Sequence, residues 1–199
     1  DDRGVAVTID ATSGDNLAVY TVDGLVKVAR NDATGAMVSS FGTFGTADVD
    51  FTGSTDLPAP HRIVMSGTAV LLAGTSVGTS NDLAFVQLDA TGALDTGFGT
   101  GGRLLIDRSG ADDEVFSSTS APGGGWYFGG HSGNNLLVGK LTPGGALDTA
   151  FATNGTFTSV VATAAAAYDL LLDSAQRIVT VGTIRTGSTD DLGAARLTP

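Results

Sequence analysis

Apolar residues along this chain arrive in short runs and never in long ones. "LVKVAR", "AVLLAG", "LAFVQL", "WYFGG", "LLVGKL" and "RIVTVG" are bounded by Gly, Asp, Asn, Ser and Thr, and most carry β-branched or aromatic side chains. Runs of that kind predict strands, and the turn-rich spacers "PGGG" (122–125) and "SGNN" (132–135) predict hairpins between them. No window shows an apolar stripe at helical spacing. The alanine-rich stretch, Ala162 and Ala164 to Ala167, falls at a repeat junction, which predicts a loop followed by a strand. Within "WYFGG", alternation places Trp126 and Phe128 on one face and Tyr127 on the other.

The runs recur in a constant order. "GALDTGFGTGGRLLID" from Gly92 returns as "GALDTAFATNGTFTSV" from Gly145 and, eroded, as "GAMVSSFGTFGTADVD" from Gly35. Phe41, Phe98 and Phe151 then space the copies 57 and 53 residues apart. Upstream, "LVKVARNDATG", "LAFVQLDATG" and "LLVGKLTPGG" correspond. Downstream, "AVLLAGTS", "WYFGGHSG" and "RIVTVGTI" share a glycine at 74, 130 and 182. The first residues also match the last repeat, giving approximate units 1–45, 46–102, 103–155 and 156–199.

About four short strands and one long glycine-rich connection per unit predict an all-β fold. The expected architecture is a β-propeller or propeller arc of about four blades, at the low end of the ~4–8 range. The glycine-rich connection reads as the crossover between blades, with its Phe anchoring the seam. Asp95 and Asp148 read as Asx-turn formers, a place that Val38 takes in the first copy. Closure stays open among a closed small propeller, an arc completed by another chain, and a portion of a longer array.

Composition narrows the function classes. Hydrophobic content of 42% excludes general disorder. No apolar stretch approaches the ~20 residues needed to span a bilayer as a helix. Acids outnumber bases 21 to 10, and all but Glu114 are Asp, a turn former. Net charge −11 argues against nucleic acid, whose phosphates need clustered Lys and Arg. The chain has no cysteine, which removes disulfides, thiolate metal sites and Cys nucleophiles. The opening "DDRGVAV" lacks the basic and apolar regions of a signal peptide, so any export signal is expected to have been removed or to lie outside this sequence.

Candidate chemistry is sparse. His61 and His131 read as surface or turn residues, since neither pairs with a nucleophile at a recognisable spacing. Asp112, Asp113 and Glu114 form the densest acidic cluster, oxygen-rich enough for Ca²⁺ or simply solvated turn charge. Neither an EF-hand loop nor a β-roll repeat accompanies them. Asp48 and Asp50 share one face of a strand, and "GFGTGG" lacks the Lys and following helix of a phosphate loop. Trp126 and Tyr127 suit blade packing or glycan stacking. The hairpin segments "TSVGTSND", "HSGNN" and "TIRTGSTDD" differ most between repeats. They supply Asn81, Asp82, His131, Asn134, Asn135, Arg185, Asp190 and Asp191 as contact candidates for a protein or glycan at one face.

The pattern D-x-x-G-x-L-D-x-x-F-G-T-x-G, followed by a strand, the acidic "DDE" and a strand ending in A-G or G-G, resembles the delta-60 repeat family of bacterial propeller-like proteins. The match is best over 83–106 and 136–155 and weakens over 35–50, where Val38 and Ser39 break the L-D-T pattern. The resemblance implies an exported or cell-surface bacterial protein with such repeats in arrays. The expected function is therefore a non-catalytic scaffold or adhesive module. A Ca²⁺-stabilised glycan-binding module is the alternative, and a propeller glycosidase or lyase follows behind. The last needs convergent carboxylates, which one Glu and turn-type Asp residues do not predict.

Overall fold

The computed structural model describes residues 2–51, 57–159 and 163–198. Among the described residues there are fifteen strands and no helix, hence none long and apolar enough to cross a membrane. Sheet 1 is β1 (Arg3–Ile9), β2 (Asn16–Val22), β3 (Leu25–Asn31) and β4 (Thr46–Val49). Sheet 2 is β5 (Leu57–Ser66), β6 (Ala69–Val77), β7 (Asn81–Leu88) and β8 (Arg103–Ile106). Sheet 3 is β9 (Asp113–Ser120), β10 (Trp126–Ser132), β11 (Asn135–Leu141) and β12 (Thr156–Ser159). Sheet 4 has three strands, β13 (Ala164–Leu172), β14 (Ile178–Thr186) and β15 (Thr189–Leu197). Every sheet is an antiparallel meander in chain order, and none closes on itself. The Ala164–Ala167 run opens β13 as expected, while Ala162 lies outside the described residues.

One expectation is corrected. The glycine-rich stretch is not the passage between sheets but the connection from the third strand to the fourth within a sheet. In 142–155 the chain folds back on itself: Leu141 bridges Leu147, the Asp148 amide donates to the Lys140 carbonyl (2.8 Å), and Lys140 donates to Gly155 (3.0 Å). The short strand that follows then pairs with the strand before, β12 on β11. The sequence units thus divide each four-stranded sheet just ahead of its last strand. Of the passages between sheets, the one from β8 to β9, residues 107–112, is described throughout and is short.

The Phe in that stretch does anchor a seam. Phe41 and Phe98 are wholly buried, and each lies against the matching stretch of the next sheet. The amide of Gly42 donates to Thr91 (2.7 Å) and that of Gly99 to Gly144 (2.9 Å). A Cβ at Gly145 would press on the Phe98 ring, and its φ of +73° suits glycine as well. Asp95 and Asp148 accept the amides of Gly97 (3.0 Å) and Ala150 (3.1 Å), the expected Asx turns.

Three apolar clusters fill three seams. Leu17, Val28, Phe41, Ile63 and Leu72 join sheets 1 and 2; Leu71, Phe85, Phe98, Val115 and Trp126 join sheets 2 and 3. Tyr127, Val138, Phe151, Ala167 and Ile178 join sheets 3 and 4. The outward faces of the two end sheets carry exposed apolar side chains, Val7 and Ile9 on sheet 1 and Leu171, Val181 and Leu192 on sheet 4.

Candidate functional site

The first strands of the four sheets lie side by side in series, and each carries a β-bulge. Pairing shifts between Gly4 and Ala6 on β1, Pro60 and Arg62 on β5, and Ala167 and Asp169 on β13. On β9 the shift separates Val115 from Ser117. The extra residues are therefore Val5, His61, Phe116 and Tyr168, which a bulge leaves unpaired and re-aims. This also explains the shared glycine. A Cβ at Gly74, Gly130 or Gly182 would overlap the carbonyl oxygen of Ala59, Glu114 or Ala166 on the bulged strand.

Three of the bulge residues meet around one ring. Phe116 lies 5.5 Å from His61, 5.6 Å from His131 and 5.0 Å from Tyr168, centroid to centroid. The chain's single Glu joins them: Glu114 Oε2 is 3.7 Å from His131 Nε2, and its Oε1 accepts the Asn81 side-chain amide at 2.8 Å. Burial pushes the His61 imidazole below its usual range, which favours the neutral form. The two histidines, expected as surface or turn residues, thus share a neighbourhood with Glu114.

Beside this cluster, sheets 3 and 4 form a cleft of about 270 Å³. His131 and Asn134 line it from sheet 3, and Tyr168, Thr183, Arg185 and Asp190 from sheet 4. Tyr168 is half exposed. Arg185 and Asp190 form a two-armed ion pair, Nε to Oδ1 at 2.6 Å and Nη2 to Oδ2 at 2.9 Å. Side-chain accessibility near one half on both partners leaves them reachable from solvent.

The expected contact residues sort accordingly. His131, Asn134, Arg185 and Asp190 are brought together in the cleft. Asn81 is tied to Glu114 and, through its amide, to Asp112 (3.1 Å); Asn135 pairs with Ser132 at the hairpin; Asp191 is exposed. Trp126 and Tyr127 are not surface contacts. Both are buried, because the strand that carries them is covered on both faces. Trp126 donates its indole N–H to Gln87 Oε1 (3.0 Å), and Tyr127 stacks edge-on against Phe151 at 5.6 Å. Asp48 is exposed and pairs with Lys27.

The consecutive acids Asp112, Asp113 and Glu114 do not form one ligand set. Asp112 and Glu114 reach Asn81, whereas Asp113 is wholly buried and accepts the Arg108 amide at 2.8 Å. Asp113 falls in with Asp82 and Asp107, one carboxylate oxygen of each lying within 4.8 Å of the others. Phe116 and Tyr168 had escaped notice. Their signal was present in part, since Phe116 and Tyr168 each stand 14 residues ahead of the shared glycine and His61 stands one residue nearer to Gly74.

Fold and site together define a propeller-like all-β repeat protein. Among solved structures, the chain is similar to a catalytically inactive variant of virginiamycin B lyase from Staphylococcus aureus with quinupristin. The TM-score is 0.51 at 10% identity, covering 98% of this chain and 55% of that one. At that identity the likeness concerns the fold, and this chain spans about half the neighbour's length. No family model and no curated protein matches the sequence.

Proposed function

We propose that the chain is a non-catalytic, adhesive repeat module of an exported or cell-surface bacterial protein, and that its cleft between sheets 3 and 4 takes a glycan. The observation that carries this reading is the half-exposed Tyr168 ring beside Asn134 and the accessible Arg185–Asp190 pair. A sugar offers an apolar C–H face and a rim of hydroxyls. An aromatic face stacks on the first, and amide, guanidinium and carboxylate groups hydrogen-bond the second. The repeats supply a rigid frame, and the unequal hairpins supply the asymmetry that recognition needs.

A glycan array followed by calorimetric titration of the best hit tests the reading. Tyr168→Ala and Arg185→Ala are each expected to weaken binding about tenfold, a loss near 1.4 kcal/mol. Absence of any glycan ligand, or binding indifferent to both changes, would overturn it.

A second reading has its own observation: His61, His131 and Glu114 converge on Phe116, a set able to exchange protons. Under that reading the module is a lyase or glycosidase. Turnover in a polysaccharide panel, abolished by Glu114→Gln, would favour it over adhesion.

A further inference from the structure

Three carboxylates meet where sheet 2 passes the chain to sheet 3. Asp82 is the second residue of β7, Asp107 follows directly after β8, and Asp113 begins β9. One oxygen of each lies within 4.8 Å of the others. Like charges so close repel, and burial sharpens the repulsion.

Asp113 poses the sharper problem. It is wholly buried, its Oδ2 accepts the Arg108 amide, and its Oδ1 has no hydrogen-bond partner. A buried carboxylate oxygen without a partner is costly unless a cation or donor reaches it. The Arg108 guanidinium is committed elsewhere: Nε donates to Ser132 (3.2 Å) and Nη1 to Thr156 (3.1 Å). Among the described residues, no Lys or Arg forms an ion pair with Asp107 or Asp113.

The repeat provides an internal control. By strand register, Asp82 corresponds to Leu25 in sheet 1 and Asn135 in sheet 3. Asp113 corresponds to Pro58 in sheet 2 and Ala165 in sheet 4. By the same register Asp191 stands at the Asp82 place in sheet 4. Where sheet 1 passes to sheet 2 and sheet 3 to sheet 4, however, the two places hold Leu25 with Pro58 and Asn135 with Ala165. Those junctions form without the acids, so packing does not account for their meeting here.

We propose that Asp82, Asp107 and Asp113 bind a divalent cation, Ca²⁺ by class. The donors named are all carboxylate oxygens, without the imidazole or thiolate that favours zinc. Asp107 is exposed, so water and backbone carbonyls can complete the ~6–8 oxygen ligands that Ca²⁺ takes in flexible geometry. The ion ties segment 107–112 to β7 and staples the seam between sheets 2 and 3. This inference does not rest on the glycan reading.

Calorimetric titration of the whole chain with Ca²⁺, paired with thermal melts in Ca²⁺ and in chelator, tests it. One site per chain is expected, with Tm raised by Ca²⁺ and lowered by chelator. Asp107→Asn, a surface change, is expected to weaken binding about tenfold or more, since affinity follows ligand charge. Asp113→Asn removes the same site from the buried side, and Asp48→Asn, in another sheet, leaves binding unchanged. No heat and no Tm shift at about 10 mM Ca²⁺, well above the ~1 mM dissociation constants of weak extracellular sites, would overturn the proposal. Binding unaltered by Asp107→Asn would do the same, and Mg²⁺ binding as tight as Ca²⁺ would overturn the assignment to Ca²⁺.

Discussion

The guanidinium of Arg62 lies 3.7 Å from the carboxylate of Asp169, so sheet 2 reaches sheet 4 past the first strand of sheet 3. Each residue directly follows a bulge, and Asp169 also accepts the Ser117 hydroxyl of sheet 3 at 2.8 Å. One carboxylate thereby ties three sheets. The ion pair is open to solvent and worth little, under about 1 kcal/mol, while the hydroxyl bond adds about 1 kcal/mol. Asp169→Ala is expected to cost about 1–2 kcal/mol in urea unfolding and Arg62→Ala clearly less. Equal losses would mean that the ion pair, not the Ser117 bond, carries the tie.

The glycine opposite the bulges of β5, β9 and β13 is a steric requirement, while Tyr20 takes that place in sheet 1. Gly130→Ala would set a methyl group into the Glu114 carbonyl and is expected to cost about 1–3 kcal/mol or more. Gly4→Ala meets nothing within 4 Å and serves as the control, with a change of about 0.5 kcal/mol or less. A chemical denaturation series on the two variants decides the matter.

Gln87 fixes the chain's one tryptophan. Its Oε1 receives the Trp126 indole N–H, and its Nε2 donates to Asp95 at 2.8 Å, within the seam between sheets 2 and 3. Gln87→Leu leaves that buried N–H without an acceptor, at a cost of about 1–3 kcal/mol. Since Trp126 is the sole indole, its fluorescence follows this seam alone.

Acid should weaken the fold in two stages. Burial lowers the His61 pKa from 6.5, so the unfolded chain takes up the proton first. Stability from neutral His61 is complete above that value and declines as pH falls through it. The Thr34 hydroxyl and the Ala36 amide lower the Asp32 pKa from 3.8, and the Thr91 hydroxyl does the same for Asp89. Their contribution is present above the unfolded value and lost as pH drops through the folded ones, below about 4. Urea midpoints at pH 8, 5 and 3 should show both declines, and His61→Gln should remove only the first.

The apolar outward faces of the end sheets predict self-association. In the interior, one face of each sheet rests on the sheet before it and the other supports the sheet after it. Among the described residues sheet 1 lacks the first partner and sheet 4 the second, leaving Ile9 at 67% and Leu192 at 87% exposure. A second copy can satisfy both with the contact already used inside the chain. Light scattering is expected to give a mass above one chain, reduced by Leu192→Lys. A monomer at micromolar concentration would sink this expectation.

The strands and their repetition were legible because turn residues punctuate every short apolar run. The seam role of Phe98 was legible because an aromatic recurred at a fixed place in a glycine-rich stretch. The place of the crossover was not. Length alone made 142–155 look like the longest passage, whereas the Leu141–Leu147 bridge folds it back into its own sheet. Alternation set Trp126 and Tyr127 on opposite faces, as found, but not their burial, which follows because the strand is covered on both faces. His61 and Phe116 became neighbours only through bulges, which shift the two-residue rhythm by one. Asp113 parted from Asp112 and Glu114 by that same rhythm.

Sheets that touch only their neighbours distribute cooperativity unevenly. Sheets 2 and 3 are each held by two seams, the end sheets by one, and sheet 4 has three strands with an outer strand, β15, that is largely exposed. Such an array behaves as a short one-dimensional chain of coupled units, so opening starts at its ends and travels inward. Amide exchange should be fastest in β15 and slowest in β6 and β10. The cleft between sheets 3 and 4 would then be the first region to loosen on warming, and any ligand held there would act as a clasp on the half of the molecule that frays most readily.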